Sequence, residues 1–207
     1  MDDRLLYRTA PLLLAALLAG CGNWAGFGFQ AQGLEMPRIR EALRLKPGMT
    51  IADVGAGKGE LSAALAGEVG SDGKVFATDV DQGRLGALRE KFAGEKRANV
   101  VVVEAGASET QLPHACCDAI VLRRVYHHLA DPVRINASLL RSLRPGGVLA
   151  VIDFPPPFFL GRGEFGVPSA SVIAEVTRSG FELVRLIDDW PGRGPLGSYC
   201  VVFRRPS

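Results

Sequence analysis

Thr50-Ile51-Ala52-Asp53-Val54-Gly55-Ala56-Gly57-Lys58-Gly59-Glu60 is the stretch on which the reading of the whole chain turns. Thr50 to Val54 is a short apolar run that predicts a buried strand. Glycines at 55, 57 and 59 follow at once, and Leu61, Leu65 and Val69 then recur at i, i+4 and i+8, one stripe of a helix. A glycine loop between strand and helix permits a tight turn and lets a ligand lie against bare backbone. Asp79 closes the next predicted strand, Lys74 to Thr78, about twenty residues past Gly59, where an acid can accept hydrogen bonds from both ribose hydroxyls. Strand, glycine loop, helix, strand and terminal acid in that order point to a nucleoside site far more specifically than a glycine cluster alone.

The loop also discriminates between nucleosides. A dinucleotide fingerprint, G-x-G-x-x-G, would need glycine at position 60 after Gly55 and Gly57, and the residue there is Glu60. A carboxylate facing a pyrophosphate in a dry site is repulsive by a few kcal/mol, roughly. Adenosine without phosphates suits the loop better, and a nicotinamide-dependent reductase is disfavoured.

Outward from this unit, strand and helix keep alternating. Pro37 opens a helix with Met36, Ile39 and Leu43 on one face, stopped by Lys46-Pro47-Gly48. A helix with Leu85, Leu88 and Phe92 inward follows Asp79. Val100 to Val103 is a third strand, and its unbroken valines predict burial on both faces. Ala119 to Leu122 is a fourth. Asp131-Pro132 starts a helix carrying Ile135, Leu139 and Leu143, with Asp131 as its cap. Arg144-Pro145-Gly146-Gly147 ends that helix, and Val148 to Phe154 is a fifth strand. After a proline-rich loop, 155–168, a helix with Val172, Ile173 and Val176 ends at Gly180. Two last strands, 181–187 and 198–204, are separated by a turn-rich segment that makes them an antiparallel pair. The fold class is therefore α/β: a Rossmann-like, doubly wound, mostly parallel sheet of seven strands with an antiparallel last strand. Ligands in such sheets sit beyond the carboxyl ends of the strands, where the strand order reverses.

Composition narrows the rest. The chain has 207 residues, 47% hydrophobic and 22% charged, so a folded globular domain is expected and wholesale disorder is excluded. A net charge of +2, with Arg123-Arg124 and Arg204-Arg205 as the adjacent basic pairs that stand out, is too little for a nucleic-acid-tracking stripe. Four cysteines show no metal-ligand spacing, and the vicinal pair Cys116-Cys117 reads as buried or idle thiols. No metal is expected.

The amino terminus carries an address. An apolar run from about Ala10 to Ala19 is too short to span a bilayer, but fits the core of a secretory signal. Leu18-Ala19-Gly20-Cys21 resembles a bacterial lipobox. The expected organisation is a signal peptide over 1–20, a tether over 21–35 bearing Trp24, Phe27 and Phe29, and one domain over 36–207. That places the protein on a bacterial membrane by a lipid anchor at Cys21, facing the periplasm. Initiation at Met36 would instead give a cytoplasmic protein.

Asp53-Val-Gly-Ala-Gly-Lys-Gly59 resembles motif I of the class I S-adenosylmethionine-dependent methyltransferases. Val125-Tyr-His-His-Leu-Ala-Asp-Pro132 and Leu143-Arg-Pro-Gly-Gly-Val-Leu-Ala-Val-Ile-Asp-Phe154 resemble the strand-four and strand-five segments of that family, in the style of its ubiquinone/menaquinone-biosynthesis branch. The resemblance implies S-adenosylmethionine as cofactor. Gly55, Ala56, Gly57 and Gly59 would pass its methionine and ribose, Asp53 would support the loop or the methionine amine, and Asp79 with Val80 would hold the ribose. Where the family often has Gly-Asp-Ala after strand three, this chain has Gly106-Ala107, so Ala107 and Ser108, or Glu109, would meet the adenine. Arg123, at the end of strand four, is the remaining candidate cofactor contact.

Methyl transfer is an in-line displacement at a carbon already activated by a positive sulfur, so alignment is the main task and a base helps only a protonated nucleophile. Tyr126, His127 and His128 are the catalytic candidates, with Asp153 at the end of strand five; imidazole works as a base near neutral pH. The alternative for the histidine pair is structural, one ring hydrogen-bonded to the following turn or to backbone. Arg123 and Arg124 read either as a surface ion pair or as a seat for an anionic acceptor group. The vicinal cysteines invite comparison with arsenite methyltransferases, but the separated cysteines of that chemistry are missing. Phe158, Phe159 and Phe165 are candidates to line a pocket for a small, hydrophobic acceptor. The rival to an enzyme is a non-catalytic, membrane-tethered lipoprotein that uses the same fold as a binding module.

Overall fold

The computed structural model describes residues 35–156, 166–191 and 197–207. The signal, the lipobox at Cys21, the tether aromatics and the loop residues Phe158, Phe159 and Phe165 lie outside the described residues. Residues 35–43 are helical (α1). There follow β1 (Thr50–Val54), α2 (Glu60–Val69), β2 (Lys74–Asp79), α3 (Gln82–Gly94), β3 (Val100–Glu104), β4 (Cys117–Arg123), a 3-10 turn (Tyr126–His128), α4 (Pro132–Ser142), β5 (Leu143–Asp153), α5 (Ser169–Arg178), β6 (Glu182–Trp190) and β7 (Ser198–Arg204).

The seven strands form one sheet in the order β3-β2-β1-β4-β5-β7-β6. β1 pairs in parallel with β2 on one side and β4 on the other, so the order reverses there. β7 slots antiparallel between β5 and β6, the expected antiparallel last strand. Strand alternation divides the core between two faces. Ala52, Val54, Ile120 and Leu122 pack with Ile135 and Leu139 of α4 and Val172 and Val176 of α5. Their neighbours Ile51, Ala119 and Val121 point the other way, onto Ile39 and Leu43 of α1 and Leu61 and Leu65 of α2. Asp131 caps α4 by accepting from the Arg134 N–H, with Pro132 in the first turn, as its sequence predicts.

Three expectations need correction. β3 is not buried on both faces: it is the sheet edge, its Val101 is 38% exposed, and only Val100 and Val102 pack against the α3 cluster. A run of valines reports hydrophobic demand but cannot say that the helices of one face stop short of the edge. β5 begins at Leu143, not Val148, because Leu143 already pairs with Cys117 and a register shift absorbs the Pro-Gly-Gly segment. Glu35, expected to end the tether, is already helical and 1% exposed.

Candidate functional site

The carboxyl ends of β1, β2 and β4 open onto a cleft of about 830 Å³, within the range of small-molecule sites. Its floor is the glycine loop. Gly55 and Gly57 line it, and a Cβ at Gly57 would meet nothing within 4 Å, so a ligand has open space beside bare backbone there. Gly55 is bare for a second reason: a Cβ would stand 2.4 Å from Val125 Cγ2, so any side chain would drive apart the loop and the segment after β4. Gly59 differs. It does not line the cleft; a Cβ there would meet Leu88 Cδ2 at 2.5 Å and the Phe92 ring at 2.9 Å, so this glycine lets α2 and α3 close together.

Asp79, 3% exposed, is the acidic wall. Its Oδ1 accepts from the N–H groups of Val80 (2.9 Å) and Asp81 (3.1 Å), and its Oδ2 from Gly57 N–H (3.0 Å), with Arg84 Nη1 3.8 Å away. A carboxylate has about four acceptor positions. Three are committed to backbone, so Asp79 holds the glycine loop to the end of β2 and keeps capacity for one strong ligand hydrogen bond, not two.

Asp53 lies behind the loop, 2% exposed and outside the cleft lining, and accepts from Ser62 Oγ at 2.6 Å, which ties β1 to α2. Burial pushes its carboxyl up to about 6, against the Ser62 hydrogen bond and the field of Arg123. Between its ordinary value and 6 the native state therefore holds more protons than the unfolded chain, and stability falls as pH rises through that window. Asp53→Asn keeps the Ser62 contact and removes this slope. Relative to that variant, the wild type is expected to lose about 3 kcal/mol of unfolding free energy between about pH 4 and pH 7. Denaturant melts of both proteins across that range check it, and a flat difference would refute the assignment.

Tyr126, His127 and His128 leave a 3-10 turn, where successive side chains diverge by about a third of a turn. Tyr126 goes into the core: its hydroxyl donates to Glu175 of α5 (3.0 Å) and accepts from Asn136 of α4 (2.8 Å). It does not line the cleft. His127 is buried, its Nδ1 2.8 and 3.0 Å from the Asp153 oxygens, and Asp153 also accepts from the His127 and Phe154 N–H groups. His128 alone of the three lines the cleft, its ring centroid 3.9 Å from that of His127.

Of the other candidates, Val80, Ala107 and Arg123 line the cleft, while Ala56 packs toward α3 and Ser108 stays outside. Glu109 is turned outward to Arg141. Thr110, which the sequence reading passed over, takes a place in the lining and hydrogen-bonds Ser138 at 2.8 Å. Also missed were Lys58, Arg84 and the apolar Leu129 and Ile135. Arg123 is not a surface ion pair: its Nε and Nη2 lie 3.0 and 2.9 Å from Oε2 of buried Glu35. Cys116 and Cys117 hold their sulfurs 3.0 Å apart at the amino end of β4, away from the cleft, and burial pushes the Cys200 thiol up to about 12. Among the described residues no cluster of three or more metal-ligating side chains occurs.

Comparison with known proteins bears on this geometry. Residues 52–151 match a family described as "Methyltransferase domain". The ubiquinone/menaquinone biosynthesis C-methyltransferase UbiE of Vibrio vulnificus is 32% identical over 115 residues, covering 55% of this chain and 44% of that protein. The chain thus spans less than half the length of the curated relatives it matches. An S-adenosylmethionine-dependent methyltransferase from Aquifex aeolicus superposes with a TM-score of 0.71 at 24% identity, covering 86% of this chain and 97% of that one. The phosphoethanolamine N-methyltransferase 2 of Haemonchus contortus, in complex with S-adenosyl-L-methionine, gives 0.71 at 15% identity over 90% of this chain and 53% of that one. Residues 52–151 are therefore similar to a methyltransferase domain, and the chain has the fold of the S-adenosylmethionine-dependent methyltransferases on which it superposes.

Proposed function

We propose that the protein binds S-adenosylmethionine in this cleft and transfers its methyl group to a small acceptor with an apolar body. The observation that carries the proposal is the pairing of a buried terminal acid with an open glycine: Asp79 Oδ2 on Gly57 N–H, both facing the cleft. These residues fit the cofactor. Asp79 offers its remaining acceptor position to a ribose hydroxyl, Gly57 leaves room for the chain beyond it, and Val80 and Ala107 flank the space for a flat base. When bound, S-adenosylmethionine supplies a methyl carbon activated by its sulfonium. The chain's part is to bind, align and exclude water, with effective molarity as its main lever.

His128 is the residue placed to take a proton from an acceptor in the cleft, and the His127–Asp153 pair behind it fixes the turn from which it projects. His128→Gln should lower turnover by about 100-fold or more and leave thermal stability near that of the wild type. His127→Gln should lower the melting temperature instead, because it removes the ring Nδ1 contact from buried Asp153 and leaves that carboxyl group with its two backbone donors alone. Equal loss of turnover with no change in melting from both variants would sink this division of roles.

Calorimetric titration of the full chain with S-adenosylmethionine and S-adenosylhomocysteine tests the reading. No heat with either at millimolar ligand would refute it and favour a non-catalytic binding module. The anchor is a separate part of the proposal. Leu18-Ala19-Gly20-Cys21 supports a lipid at Cys21 and a periplasm-facing protein, and palmitate labelling of cells carrying the wild type but not Cys21→Ala is the expected result. An unlabelled wild type would favour initiation at Met36 and a cytoplasmic protein.

A further inference from the structure

We infer that the side-chain hydroxyl of Thr78, on the inner wall of the cleft, binds the adenosine half of the cofactor. The inference rests on the S-adenosylmethionine reading and adds to it a contact residue that the glycine loop and Asp79 leave unassigned.

An orphaned polar atom carries the argument. Thr78 is the last residue but one of β2, fully buried and part of the cleft lining. Its carbonyl oxygen accepts from the N–H groups of Gly55 (2.9 Å) and Ala56 (2.8 Å), and so holds the glycine loop. Its Oγ1 is buried as well and has no hydrogen-bond partner among the described residues. A hydroxyl shielded from water and left without a partner costs free energy. Packing among the described residues does not call for it. In the sheet Thr78 stands between Val54 of β1 and Val103 of β3, and a valine in its place would have the same shape and the same branch at Cβ. Thr110 provides the contrast. It lines the same cleft and is 1% exposed, but its Oγ1 lies 2.8 Å from Ser138 Oγ of α4. The fold uses one threonine hydroxyl and leaves the other for a ligand.

Position selects the part of the ligand. β2 lies between β3 and β1, so Thr78 belongs to the half of the cleft that Val80 and Ala107 flank, while His128 follows β4 on the other side of β1. On the S-adenosylmethionine reading the nucleoside fills the first half and the reacting methyl faces the second. Adenosine brings two ribose hydroxyls, ring nitrogens and an exocyclic amine, and Asp79 has room for one of them beside its three backbone donors. Glu109 is turned away to Arg141, and Ser108 stays outside the lining. A hydroxyl donates one hydrogen bond and accepts up to two, so Thr78 can meet either kind of adenosine group.

The test is Thr78→Val in the full chain, read in two ways. Without ligand the variant should melt at or above the wild type, because it loses only an unsatisfied group. Thr110→Val should melt below the wild type, because it breaks the bond to Ser138. Thr78→Val is then titrated calorimetrically with S-adenosylhomocysteine and with 5′-methylthioadenosine, which keeps the adenosine and lacks the amino acid. It should bind each about tenfold or more weakly than the wild type. Thr78→Ser restores the hydroxyl and should return both affinities to within about threefold. Affinities of Thr78→Val within about twofold of the wild type overturn the inference and leave the S-adenosylmethionine reading standing. A lower melting temperature for Thr78→Val also overturns it, by showing that the hydroxyl holds the fold. So does a loss confined to S-adenosylhomocysteine, or a wild type that binds S-adenosylhomocysteine but not methylthioadenosine, since either moves the contact off the adenosine. If the wild type does not bind S-adenosylhomocysteine, the underlying reading falls and the Thr78 assignment with it.

Discussion

Asp79→Ala is expected to weaken S-adenosylhomocysteine binding by about 100-fold or more, the largest single effect in the cleft. Two losses combine. The ligand forfeits a hydrogen bond to a charged acceptor, a class of interaction contributing about 1.5–3 kcal/mol. The loop forfeits its clasp, because the N–H groups of Gly57, Val80 and Asp81 all point at this carboxylate. Asp79→Asn separates the two losses, since an amide oxygen can keep part of the backbone set while the charge is gone. It should fall between wild type and alanine. Calorimetry on all three proteins decides the matter, and an alanine variant within about threefold of wild type would remove Asp79 from the binding site.

Gly59→Ala is the second large expectation, and it concerns stability. The residue has φ +72, which costs a non-glycine residue about 1–2 kcal/mol. Its new methyl would also press on Leu88 and Phe92, which are 1% and 4% exposed and have little room to yield. Overpacking of this kind costs about 1–3 kcal/mol. The sum, about 2–5 kcal/mol, should appear in urea unfolding, while S-adenosylhomocysteine affinity well below the melting temperature stays within about threefold. Reduced affinity with unchanged stability would return Gly59 to the role that the family resemblance implies, a cofactor contact.

That contrast shows where sequence is informative. The spacing of Gly55, Gly57 and Gly59 identifies the loop, but not that one glycine opens the cleft, one admits Val125 and one admits α3. Periodicity places β1 and β7 at their observed bounds, because both lie inside the sheet and each face has a helix to satisfy. It misjudges β3, whose valines look the same at an edge as at a centre. Tyr126, His127 and His128 are adjacent and all polar-capable, so composition treats them alike. The 3-10 turn sends one to the core, one to Asp153 and one to the cleft, and only three-dimensional structure separates such neighbours. Glu35 and Arg123 are 88 positions apart in the chain, and no local pattern links them.

Their ion pair also fixes a direction. Glu35 is held at the carboxyl end of β4, so α1 starts beside the cleft rather than at the opposite edge of the sheet. Breaking that pair would therefore loosen the first turn of α1 and the β4 wall of the cleft together.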